Sequence, residues 1–171
     1  IWTYSVWLKK ADPNSDLTTE SPVSSGADVN NRGLIYFNGG SAEIQYYEAT
    51  SGSTTIHLTT NRLFRDISAW YHLVLSVDTT QGTASNRVKL YVNGVQETSL
   101  ATATYPTQNY NTKINSAVGM SIGSANSYGG TLHFSGSMTH IHFIDGTAYD
   151  ASTFGETDAT TGIWKPKTAP S

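Results

Sequence analysis

The chain has no cysteine, which removes disulfide frameworks, thiolate zinc sites and cysteine nucleophiles together. Charge is also scarce: 13% of the 171 residues are Asp, Glu, Lys or Arg, and the ten basic side chains are scattered rather than clustered. With a formal net charge of −3, no basic face is available for a phosphate backbone or an anionic bilayer, so neither nucleic acid nor membrane is an expected partner. No apolar run approaches the ~20 residues that a membrane-spanning helix needs. Proline is limited to five residues, and Ser and Thr supply about a quarter of the chain. That composition suits short, turn-bounded strands better than amphipathic helices.

The hydrophobic periodicity agrees. In WTYSVWL, residues 2–8, Trp2, Tyr4 and Val6 alternate with Thr3, Ser5 and Trp7, the two-residue repeat of a strand. Residues 9–31 are polar, hold two of the five prolines and read as a long surface loop. GLIYFNGG, AEIQYYEA and TTIHLTT, starting at residues 33, 42 and 54, read as an antiparallel meander cut by Gly-Gly and Ser-Gly breakers.

In WYHLVLSVDTTQGTASNRVKLYVNGVQ, residues 70–96, Leu73, Leu75 and Val77 share one face, as do Val88, Leu90 and Val92. The two runs are expected to pair, with Asn93-Gly94 forming a type I′ turn because both residues tolerate positive φ. Residues 117–124 and 130–146 read as further strands, and DASTFGE, residues 150–156, as one helical turn capped by Asp150 or Ser152. Many short strands with turn signals about every ten residues predict an all-β, two-sheet sandwich. Residues 1–171 read as one domain, with no internal linker and no repeat; because the chain opens inside an alternating run, it is expected to be a piece of a longer polypeptide.

The stretch WYHLVLSVD…NRVKLYVNGVQ resembles the signature of laminin-G-like domains of the concanavalin A-like lectin/glucanase superfamily, and FSGSMTHIHFIDGTAYDASTFGE resembles their closing strand. The ending FIDGTAYDASTFGETDATTGIWKPK is similar to a narrower group found in bacteriophage structural and tail-fibre proteins. The resemblance implies a jelly roll of two curved antiparallel sheets, and adhesion or surface display at a virion or extracellular surface, within a homo-oligomeric assembly, rather than catalysis. Trp70 is expected to plug the end of the sandwich, and His72 to be a satisfied sheet residue.

Four constellations bear on chemistry. Retaining β-glucanases of this superfamily use Glu-x-Asp and a further Glu, but here Glu156-Thr157-Asp158 is followed by no second Glu. A hydrolase would therefore have to draw on Glu43, Glu48 or Glu97 from distant segments. His140 and His142 sit two apart, as metal ligands on one strand face can, with His133 or His72 as a third; solvent-facing polar positions are the simpler reading.

Related jelly rolls often bind calcium at the rim, and Asp28 with Asn30 and Asn31, or Asp78, offers the necessary oxygens. Sugar recognition needs an aromatic face and convergent amides, which makes Tyr105, Asn109 and Tyr110 in one loop, and Asn126 and Tyr128 in another, the candidate ligand-binding residues. The expected function is therefore non-catalytic binding of a cell-surface glycan, strengthened by multivalency. The alternative is an architectural module that binds only neighbouring subunits.

Overall fold

The structure is a computed structural model that describes residues 1–12, 20–125, 127, 129 and 131–167. Its strands are β1 (Trp2–Lys10), β2 (Glu20–Asp28), β3 (Asn31–Phe37), β4 (Glu43–Thr50), β5 (Ser53–Leu63), β6 (Tyr71–Val77), β7 (Val88–Val92), β8 (Val95–Gln96), β9 (Leu100–Thr104), β10 (Met120–Ile122), β11 (Gly136–Asp145), β12 (Gly155–Thr157) and β13 (Trp164–Pro166). Two antiparallel sheets form the sandwich, one in the order β11-β1-β6-β7-β8 and the other β10-β2-β3-β4-β5-β9; β12 and β13 make a small separate ribbon. This is the all-β jelly-roll arrangement that the sequence predicts.

Alternation decides what enters the core. Trp2, Tyr4, Val6 and Leu8 of β1 point inward beside Leu73, Leu75 and Val77 of β6 and Val88, Leu90 and Val92 of β7. They meet Val23, Ile35, Ile44, Tyr46, Ile56 and Leu58 from the second sheet. Leu75 pairs directly with Leu90, and both are buried. The β7–β8 hairpin turns on Asn93 and Gly94 with φ of 48° and 84°, so both central residues hold the positive φ of the expected turn. Val92 faces Val95 across it.

The sheets are closed by two long segments. Residues 105–116 seal one end: Trp2 donates its indole N–H to Thr112 Oγ1 at 2.8 Å, and the Tyr110 hydroxyl lies 2.8 and 3.0 Å from those of Thr50 and Thr55. Residues 146–167 cross the outer face of the five-stranded sheet, where Ala151 and Phe154 bury Val74. The Ala151–Thr153 3-10 turn begins at Asp150, whose side chain accepts from Ser152 N at 2.9 Å, as expected of the cap.

Two expectations are corrected, and one strand had no expectation attached to it. The polar stretch 9–31 is not a loop throughout, because its second half forms β2, paired with both β3 and β10. β9 arises from LATAT, a run of small residues with no apolar alternation to announce it. Trp70 does not plug the sandwich: it precedes β6 and is 41% exposed, since the end of the core beside it is filled by Phe64 and Tyr71.

Candidate functional site

On the solvent side of the six-stranded sheet, the outward positions of β3, β4 and β5 lie side by side. Leu34 pairs with Tyr47 and Tyr36 with Gln45; Tyr47 pairs in turn with His57 and Gln45 with Thr59. With Arg32, Asn38 and Leu132 these residues line a groove of about 410 Å³, within the size range of small-ligand sites. Sheet residues fix such a groove more firmly than loops do.

Hydrogen bonds hold its polar groups in place. Gln45 Oε1 accepts from the Tyr36 hydroxyl at 2.5 Å and from His57 Nε2 at 2.9 Å, and Thr59 Oγ1 lies 3.2 Å from the same nitrogen. His57 therefore carries its proton on Nε2 and leaves Nδ1 as an acceptor; burial lowers its pKa, which favours this neutral form. Tyr47 stands edge-on to His57 at 5.4 Å between ring centroids, and the Arg32 guanidinium lies 5.2 Å over the Tyr47 ring. At the groove end, Asn38 Nδ2 donates to Ser41 Oγ at 2.9 Å and Glu43 Oε1 at 3.3 Å. The resulting wall presents aromatic faces, a guanidinium and fixed hydroxyl and amide groups, the set that recognises a polyol ring.

Those residues singled out from sequence that the structure describes fall elsewhere. Tyr105 and Tyr110 pack against the core. Asn109 is exposed with φ of 60°, shaping the loop. These three belong to the segment that closes one end of the sandwich, away from the sheet groove. Asn126 and Tyr128 lie outside the described residues.

Both calcium candidates cap their own turns. Asp28 Oδ1 accepts from the main chain of Asn30 at 2.7 Å and of Asn31 at 3.0 Å, which lowers its pKa. Asp78 Oδ1 accepts from Thr80 N at 3.0 Å, and its Oδ2 accepts from Gln81 Nε2 at 2.6 Å. Asn30 lies in the β2–β3 turn, so Asp28 and Asn30 are together while Asp78 sits in a polar recess with Asn86, Lys89 and Asp150. Among the described residues no three His, Cys, Asp or Glu side chains converge as metal ligands.

The histidine pair is altered by a bulge. β1 pairs Ser5 with His142 but Trp7 with Thr139, and His140 takes φ of 48°. The simple two-residue spacing is thus lost: His142 stacks near Phe154 while His140 turns into a cleft beside Trp7 and Trp164. His72 uses both ring nitrogens, meeting Ser5 Oγ at 2.9 Å and Trp164 Nε1 at 3.0 Å, which leaves no lone pair for a metal. It is the satisfied sheet residue that the sequence suggests.

The carboxylates do not pair. Glu43 and Glu48 point to opposite faces of β4, because Glu48 is fully buried among core residues and Glu43 meets Asn38 on the outer face. Glu97 is engaged by Arg62 at 3.2 Å. Lys165 bridges Glu156 and Asp158 at 3.7 and 2.9 Å, holding the Asp158 carboxyl well below the usual range.

Sequence reasoning missed the groove because it sought binding in loops. The available signal was the unusual Tyr, Gln, Tyr and His content of outward strand positions, where Ser, Thr and Lys would suffice for solvent.

Similar folds occur in sugar-binding modules. The chain aligns with the sialidase module CBM40 of Ruminococcus gnavus with a TM-score of 0.64 at 16% identity, over 88% of this chain and 79% of that one. Domain 4 of AbnA, an extracellular arabinanase of Geobacillus stearothermophilus solved with arabinotriose, aligns with a TM-score of 0.58 at 17% identity, over 86% of this chain but only 62% of that one. Among curated proteins no match is found. The family model described as the concanavalin A-like lectin/glucanases superfamily matches residues 1–160, and the chain therefore belongs to that laminin-G-type family.

Proposed function

We propose that this domain is a non-catalytic carbohydrate-binding module whose ligand lies in the groove across β3, β4 and β5. The observation that carries the reading is the fixed array of Tyr36, Gln45, Tyr47 and His57 beside Arg32 on one sheet face. A sugar ring packs its CH face on a tyrosine while its hydroxyls meet the Arg32 guanidinium, the Asn38 carbonyl and His57 Nδ1. Among the described residues that line this wall there is no pair of carboxylates set across a bond, which supports binding rather than turnover. Two structural relatives support the ligand class: the sialidase module has been solved with sialyllactose and the arabinanase domain with arabinotriose.

We further propose a location on a virion appendage, a reading supported by the resemblance of residues 143–167 to phage tail-fibre endings. There, copies arrayed on one particle would turn weak single-site affinity into long residence at a cell-surface glycan.

Glycan-array screening of a multimeric display, followed by calorimetry on the best ligand, tests the proposal. Tyr47→Ala and Arg32→Ala should each weaken binding about tenfold or more, consistent with the ~1–2 kcal/mol that such contacts supply. Retention of no glycan by the avid display, or unchanged affinity in both variants, would overturn it.

A further inference from the structure

Three of the four tryptophans converge on the other side of the sandwich. Trp7 of β1, Trp70 before β6 and Trp164 of β13 line a cleft of about 430 Å³ with Thr139, His140 and Ile163. The cleft is built rather than accidental. β11 bulges there and holds His140 at φ of 48°, a conformation that non-glycine residues adopt rarely and at some cost. Trp70 is 41% and Ile163 65% exposed, so a large apolar surface stays in water.

A second observation points to a ligand. Trp7 is only 7% exposed, yet its indole Nε1 is buried without a hydrogen-bond acceptor, a costly condition that an incoming oxygen would relieve. The indole of Trp164 is already committed to His72 at 3.0 Å, and Lys165 to Asp158 at 2.9 Å. Among the described residues, the wall contains no carboxylate. The wall presents an exposed indole face and the polar side chains of Thr139 and His140, whose Oγ1 and Nδ1 lie 3.1 Å apart, and it buries the unpartnered Trp7 N–H, which a ligand oxygen reaches once the indole turns toward it.

We propose that this cleft is a second glycan-binding site, selective for neutral sugars, whose apolar ring face stacks on Trp70 and whose oxygen accepts from Trp7 Nε1. A neutral ligand is favoured because the one Lys, Arg, Asp or Glu among the described wall residues, Lys165, is already paired with Asp158. The inference does not depend on the groove reading, because the two sites share no residue and lie on opposite sheets. With both occupied, one domain would bridge two glycan chains or grip one surface at two points.

The test is a titration of the intact chain with cellohexaose and mannohexaose, read by tryptophan emission and by the indole N–H resonances. The groove lining contains no tryptophan, so these signals report the cleft. The expected result is a shift of the Trp7 N–H resonance together with altered emission, an effect weakened at least tenfold in Trp70→Ala and preserved in Tyr47→Ala. Trp70 is exposed, so its variant should fold; Ile163→Ser provides a second exposed variant with the same expected direction. Unmoved indole signals with both sugars would overturn the proposal, as would an effect lost in Tyr47→Ala but kept in Trp70→Ala. Sedimentation showing a dimer that Trp70→Ala dissociates would also overturn it, by assigning the cleft to a second copy of the chain.

Discussion

Trp164 donates its indole N–H to His72 Nδ1 across 3.0 Å, joining the C-terminal ribbon to the centre of the five-stranded sheet. The acceptor nitrogen must be unprotonated, so Nε2 carries the proton and donates to Ser5 Oγ. The His72 ring also stacks on Trp7, with centroids 4.8 Å apart. Burial, with lesser contributions from His142 and His140, lowers its pKa to about 4.

A folded pKa below the unfolded value makes the unfolded chain the stronger proton binder. The stability from neutral His72 is complete above pH 6.5 and is lost as pH falls toward 4, a change of about 3 kcal/mol. An NMR titration should find His72 neutral through pH 5. In Trp164→Phe, which removes the donor, the unfolding free energy at pH 7 should fall and His72 should titrate closer to 6.5. A His72 resonance titrating near 6.5 in the parent chain would contradict the arrangement.

Glu48 acts with the opposite sign. It is buried opposite Gly33, where an added Cβ would come within 2.7 Å of Oε1. It accepts from the Tyr46 hydroxyl at 2.6 Å and from the main chain of Lys113 and Ile114 at 2.9 and 3.3 Å. Those bonds favour the carboxylate, but desolvation outweighs them and raises the pKa to about 7. The folded state then holds the extra proton between pH 4.5 and 7, so this contribution is complete below 4.5 and lost as pH rises through 7. Relative to the parent chain, Glu48→Gln should gain about 3 kcal/mol between pH 4.5 and 7. Urea unfolding at both pH values measures the difference, and a constant offset would show that Glu48 titrates normally.

Gly94 separates strain from collision. Its φ is 84°, and a Cβ would lie 2.7 Å from the Trp164 ring, whereas Gly162, with φ of 70°, has nothing within 4 Å. Gly162→Ala should cost about 1 kcal/mol from backbone strain alone. Gly94→Ala should cost that and about 1–3 kcal/mol more, because the rigid indole must move. Equal losses in thermal unfolding would mean that the ribbon yields without resistance.

Legibility in the sequence followed how completely an element buries one face. β6 and β7 were readable because Leu73, Leu75, Val77, Val88, Leu90 and Val92 all enter the core. β2 was not, because its inward positions include Ser21 and Ser25 around Val23. The Ser21 hydroxyl satisfies itself on the carbonyls of Val23 and Ile35 at 3.0 and 2.9 Å, so a polar residue sits in the interior without an apolar pattern. Likewise the groove needs the register that sets Leu34 beside Tyr47 beside His57, and no single strand encodes its neighbours' alignment. The Trp cleft was hidden by the β11 bulge, which breaks the two-residue repeat at His140.

The register also makes Gln45 a positioning residue for the proposed groove. It is buried, and its Oε1 fixes both the Tyr36 hydroxyl and His57 Nε2. Gln45→Met keeps the side-chain volume but removes that acceptor, leaving His57 to exchange tautomers. The expected result is several-fold weaker glycan binding at pH 7, while Gln45→Glu, which still accepts from both partners, retains more affinity than Gln45→Met. The His57 ring provides a readout that a loss of stability would not mimic: its two nitrogen resonances should report one Nε2–H tautomer in the parent chain and a mixture in Gln45→Met. If the methionine variant keeps full affinity and a single tautomer, the tyrosine and histidine are held by the strand backbone alone and the network has no part in recognition.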